Sequence, residues 1–263
     1  MNRAQTNPDS GRLKTWQPYA LLTIAPLCWA GNVVVARGIV DTFPPVSLAF
    51  WRWSIATLIL LPFAWKPAVQ DRKIILAHWK IVLLLSVTGI SIFNTLLYIS
   101  VQTTTAINAA LIQTIMPAVI IVFSHLIFKE KINLLQAVGL TVSMAGALVV
   151  IMRGQVSNIL QLAVVRGDLL MFLSIFFNAL YSVYLKKRPR MQPISFLFYI
   201  MAMGSLGLLP IYLWESMGSS SLWLDITFII SVLYFALFPS LTAYFCWNKG
   251  VELIGANRAG LFI

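Results

Sequence analysis

Apolar residues run along this chain in eight long blocks separated by short polar stretches. The blocks are approximately Tyr19–Val40, Pro45–Trp65, Trp79–Val101, Ala106–Phe128, Leu134–Met152, Asp168–Leu185, Ser195–Trp214 and Ile226–Val251, and a stub runs from Ala256 to Ile263. Crossing a hydrocarbon core about 30 Å thick takes about 20 apolar residues in a helix, and each block has about that length. Lipid offers no water to bond backbone groups, so every block is predicted to be an α-helix. Residues 1–18 read as a polar tail. The first block is not read as a signal peptide, because it stays apolar to Val40 and further spans follow.

The pattern also repeats. "PVSLAF" at 45–50 matches "PISFLF" at 193–198, and Pro62 pairs with Pro210 at the same offset of 148. Val101, Ala106, Ala109 and Leu111 match Val251, Ala256, Ala259 and Leu261 at an offset of 150. The first repeat, 19–152, holds five spans, so a second copy over 153–263 enters the membrane from the opposite side. The predicted fold class is therefore an all-α polytopic membrane protein of two inverted five-helix repeats. Inverted repeats are the arrangement of alternating-access transporters, whose site lies at the repeat interface near the midplane.

Composition agrees. The chain is 59% hydrophobic and 10% charged, against about 25% charged for a soluble domain. A net charge of +11 raises nucleic acid as a partner, but the basic residues lie scattered between apolar blocks, so the expected partner is the lipid bilayer and not nucleic acid. Their alternation sets the topology. Arg3, Arg12, Lys14, Lys66, Arg72, Lys73, Lys80, Lys129, Lys131, Lys186, Lys187, Arg188, Arg190, Lys249 and Arg258 fall on one side, and only Arg37, Arg153 and Arg166 on the other. The positive-inside rule then places the N-terminus in the cytoplasm. Cys28 and Cys246 lie in apolar blocks without disulfide or metal spacing.

Polar residues inside spans are costly and are functional candidates by default. Adding 150 to Asn94 gives Tyr244, and adding 150 to Tyr98 gives Asn248, so the third and eighth spans carry one pair with the residue types exchanged. Adding 149 to Trp29 and Asn32 gives Asn178 and Tyr181. Spacings of three or four put each pair on one helix face. Amides donate and accept hydrogen bonds and rings supply apolar or cation–π contact, a lining suited to a small amphipathic solute. Interhelical hydrogen bonding or an aromatic belt is the other reading of the same residues. Arg52, about seven residues inside the second span, reads either as a ligand for a substrate carboxylate or as a group paired with carbonyls or snorkelling outward.

The acids Asp9, Asp41, Asp71, Glu130, Asp168, Glu215, Asp225 and Glu252 all fall in the tail, in loops or at span ends. This favours uniport or exchange over a carboxylate proton relay. No nucleotide-binding loop, cofactor motif or nucleophile–base constellation is present, so neither an enzyme nor an ATP-driven pump is expected. Gly31, Gly89, Gly204, Gly207 and the Gly139, Ser143, Ala147 stripe read as helix packing.

The stretches "CWAGNVVVARGI" (28–39), "PPVSLAFWRW" (44–53), "AALIQTIMPAVIIVFSHLIFKEKINLLQAVGLTVSMAGALVVI" (109–151), "GDLLMFLSIFFNALYSVYLKK" (167–187) and "FPSLTAYFCWNKGVELIGANRAGLF" (238–262) together resemble the EamA-type transporters of the drug/metabolite transporter superfamily. The resemblance covers essentially the whole chain after the tail. It implies a ten-helix fold and export of small metabolites such as amino acids. On that pattern the counterparts of Pro117 and Glu130 would be positions 267 and 280, so the chain is expected to stop after about eight and a half helices. The expected function is a multi-pass inner-membrane exporter of amino acids or similar metabolites, with Trp29, Asn32, Arg52, Asn94, Tyr98, Asn178, Tyr181, Tyr244 and Asn248 lining its site. The alternative is a non-transporting paralogue whose polar pairs only hold helices together.

Overall fold

The computed structural model describes residues 16–39, 41–131, 134–151, 165–217 and 225–263. Most of the expected tail, the connection carrying Arg153, and the side chains of Ser143 and Ala147 lie outside this description. Among the described residues all regular structure is helical. In chain order the helices are α1 (Gln17–Ile39), α2 (Pro45–Ala77), α3 (Trp79–Thr103), α4 (Ala106–Gln113), α5 (Met116–Phe128), α6 (Leu134–Ile151), α7 (Arg166–Tyr184), α8 (Pro193–Met217), α9 (Ile226–Ile254) and the short α10 (Ala256–Ala259). Seven helical stretches among the described residues, α4 and α5 together forming one of them, are long and apolar enough to cross a membrane. Helix α6 occupies the fifth expected span. The protein is an all-α, multi-pass membrane protein.

Three differences from the expected spans have local causes. Helix α2 continues past Trp65 to Ala77, because Lys66, Asp71, Arg72 and Lys73 end the apolar run without ending the backbone helix. The fourth expected span breaks at Thr114 and Ile115, just before Pro117, which has no N–H to offer the carbonyl of Gln113. Helices α3 and α9 each contain a π-helical segment, Val87–Ile92 and Ala236–Thr242. The repeat offset of 150 carries Gly89 onto Pro239, so the two segments occupy equivalent places in the two repeats.

Packing follows the repeat. Helix α3 packs on α7, and α1 on α9, and the offset exchanges these two contacts with one another. Helix α2 packs along α8, its own counterpart. That last pair runs antiparallel, and each helix caps the other. Glu215 near the end of α8 accepts from the backbone N–H groups of Val46 (3.2 Å) and Ser47 (2.7 Å) and from the Ser47 hydroxyl (2.7 Å) at the start of α2. At the opposite end the Asp71 carboxylate of α2 accepts from the N–H of Gln192, one residue before α8 (3.1 Å). The first N–H groups of a helix lack intrahelical partners and favour negative charge. Glu215→Ala is therefore expected to destabilise the protein by about 1 kcal/mol, and Glu215→Gln by roughly half of that. Thermal unfolding in detergent measures both.

Candidate functional site

Arg52 has no exposed surface at all. A buried guanidinium needs its donors engaged, and here oxygen atoms from three other helices engage them. Nε donates to Ser240 Oγ (2.6 Å), and Nη1 to Tyr98 OH (2.7 Å), Asn94 Oδ1 (3.0 Å) and Asn32 Oδ1 (3.1 Å). Nη2 donates to the carbonyl of Pro239 (3.0 Å), and the Trp53 ring centroid lies 4.7 Å from Cζ. The acceptors are neutral, and no carboxylate pairs with Arg52 among the described residues.

The carbonyl of Pro239 is available because the helix is π-helical there. Proline lacks the N–H that would bond the carbonyl of Phe235, and Ser240 Oγ donates to that carbonyl instead (2.7 Å). The freed Pro239 carbonyl accepts from Arg52 and from Trp29 Nε1 (3.2 Å). Its repeat counterpart, the carbonyl of Gly89, accepts from Tyr244 OH and from Asn94 Nδ2 (3.2 Å). π-Helical turns inside α-helices concentrate at functional sites, and here two equivalent ones supply acceptors to the centre of the bundle.

The hydrogen bonds themselves mirror across the repeats. Tyr98 OH on α3 donates to Asn32 Oδ1 on α1 (2.9 Å). The offsets of 150 and 149 turn that pair into Asn248 on α9 and Tyr181 on α7, and Tyr181 OH donates to Asn248 Oδ1. Asn94 and Tyr244, each the other's counterpart, meet directly, with Asn94 Nδ2 donating to Tyr244 OH (3.3 Å). The pseudo-twofold relation thus passes between Asn94 and Tyr244. Eight of the nine expected residues form one connected set. Trp29 and Tyr181 join Tyr244 through ring contacts at 5.9 and 5.7 Å between centroids. Asn178 stands apart, with its amide directed at Met116 Sδ (3.5 Å).

A family model described as the EamA-like transporter family matches residues 16–152 and 165–263. The chain belongs to this family. Among relatives, the uncharacterized transporter YyaM of Bacillus subtilis is 30% identical over 233 residues, covering 87% of this chain and 75% of YyaM. The uncharacterized transporter YetK of the same organism is 24% identical, covering 93% and 74%. The inner membrane protein YtfF of Escherichia coli is 33% identical over a shorter region, 43% of this chain and 34% of YtfF. The protein is a membrane transporter by family, not an enzyme.

In this EamA-like chain the mirror is broken at Arg52. The offset of 148 places Ile200 opposite Arg52. The Tyr98–Asn32 pair is therefore cross-linked by a guanidinium and the Tyr181–Asn248 pair is not. Asn248 is only 5% exposed, and its Nδ2 has no hydrogen-bond partner among the described residues. A cavity of about 430 Å³ reaches Asn248 from the end of the bundle that carries Lys186, Arg188 and Arg190.

Ser240, Trp53 and the carbonyls of Gly89 and Pro239 belong to the network but were not expected from sequence. Applying the offset of 150 to Gly89 gives Pro239, and that match was the available signal. Ser240 and Trp53 carry no such mark, since a serine and a tryptophan are common in any span.

Proposed function

We propose that this protein exports small metabolites, amino acids among them, across the cell inner membrane by alternating access, with its N-terminus in the cytoplasm. The two stretches matched by the family model are read as the two repeats, and the Arg52 network as the closed outer half of their central site. The observation that carries this reading is the mirrored hydrogen bond, Tyr98 to Asn32 and Tyr181 to Asn248. Helix glue has no need to recur on opposite sides of a two-fold relation, whereas a site that opens alternately to each side does. The bias of lysine and arginine to one side supports the orientation, and the name of YtfF supports the inner membrane.

A second reading rests on an observation as well. Arg52, Asn94 and Tyr98 all find partners within the protein, as helix-bridging groups would. Efflux from proteoliposomes loaded with a radiolabelled amino-acid mixture separates the two. Asn94→Ala removes bonds to Arg52, Tyr244 and two carbonyls and is expected to slow efflux about tenfold or more. If Asn94→Ala only lowers thermal stability while efflux stays at the wild-type rate, the bridging reading replaces the transport-site reading.

A further inference from the structure

The cavity below Asn248 has a chemistry of its own. Asn248 lines it, with Oδ1 taken by the Tyr181 hydroxyl and the buried Nδ2 without a hydrogen-bond partner among the described residues. Its rim carries the acids Glu130 and Glu252 and the cations Lys186, Arg188 and Arg190. Both acids are already engaged twice. Glu130 accepts from Lys186 (2.6 Å) and Asn257 (2.8 Å), and Glu252 pairs with Arg188 (2.7 Å) and Lys249 (3.0 Å). Arg188 side-chain exposure is 14%, and its ion pair to Glu252 leaves most of its five N–H donors over. Arg190 has no ion pair among the described residues. Phe128, Val183, Leu185 and Val251 supply apolar wall.

The balance of unused groups is thus one-sided, with donors and positive charge left over and no acid left over. We propose that this cavity is a binding site for a small carboxylate attached to an apolar body, with the carboxylate held by Asn248 Nδ2 and Arg188. Arginine suits this task because its planar fork matches a carboxylate. The site needs no ammonium on its ligand, since both acids that would recognise one are neutralised. The Arg52 guanidinium, with its donors engaged inside the bundle, is not the carboxylate ligand in this state. This inference rests on the transport reading above and narrows it, because it makes the carboxylate, and not the amino group, the recognised part of the solute.

Three probes of one shape test it on the purified full chain: leucine, 4-methylpentanoate and 3-methylbutylamine. A ligand that binds only the folded state raises its melting temperature. Leucine and 4-methylpentanoate are expected to raise it with affinities within about threefold of each other, and the amine not to raise it. Arg188→Gln and Asn248→Ala are each expected to weaken leucine binding about tenfold or more, and Arg188→Lys, which keeps the charge, by less. An amine that matches the acid, a 4-methylpentanoate that fails where leucine succeeds, or no shift from any of the three overturns the proposal. Efflux is scored separately. Carboxylate binding without efflux leaves this site standing and removes the transport reading, and leucine efflux that ignores Arg188→Gln and is blocked equally by the amine does the reverse.

Discussion

Replacing Arg52 with leucine is expected to abolish efflux and to lower the melting temperature of the purified protein by about 10 °C. The argument turns on what stays behind. Exchanging a whole buried polar cluster for apolar side chains is often neutral or stabilising, whereas removing one member strands the rest, at about 3–5 kcal/mol. Leucine at position 52 would leave Ser240, Asn32, Asn94, Tyr98 and the Pro239 carbonyl facing a hydrocarbon side chain. Interhelical hydrogen bonds in membranes average about 0.6 kcal/mol each, so five of them give about 3 kcal/mol, the lower end of the same range. Arg52→Lys keeps the charge but has a single nitrogen, which cannot reach acceptors spread around a planar fork. It is expected to recover less than half of the lost stability. A leucine variant that melts at or above the wild-type temperature would show that relief of desolvation outweighs the lost bonds, and the hub role of Arg52 would fall with it.

The second large effect is expected at Gly89. A Cβ there would come within 2.8 Å of three ring atoms of Tyr181, and Tyr181 is fully packed, 1% exposed and bonded to Asn248. Alanine at 89 must therefore push the ring away and break the second of the two mirrored bonds. Overpacking of this kind costs about 1–3 kcal/mol, and efflux is expected to drop about tenfold or more. The cause is testable by combination. If the clash with Tyr181 is the whole effect, Gly89→Ala added to Tyr181→Ala should cost almost nothing further. Costs that simply add in the double variant would place the damage elsewhere, since neighbours that share one contact do not behave independently.

Much of this architecture was legible in the chain. The helical, membrane-spanning class came from apolar block length, and the equivalence of Asn94 and Tyr244 came from one offset applied to one residue. The structure puts those two residues in hydrogen-bond contact. What stayed hidden has specific causes. A π-turn adds one residue to a helix, and inside a uniformly apolar span no polar face exists whose rotation would reveal it. Val87–Ile92 lacks even a proline to mark the place. The partners of Arg52 lie 20 to 188 positions away, and only chain packing brings them together. Asn178 shows the limit of spacing arguments. Its position marks a helix face correctly, but a face does not name the neighbour, which here is Met116.

The reciprocal caps of α2 and α8 have a consequence in time. Val46 and Glu215 are 169 positions apart. A ribosome adding about 5–20 residues per second needs roughly 10–30 s to cover that distance. Throughout that interval α2 exists with its first N–H groups open, and only the late arrival of α8 closes them. A nascent first half is thus a waiting intermediate, and its lifetime in the membrane is set by the pace of translation.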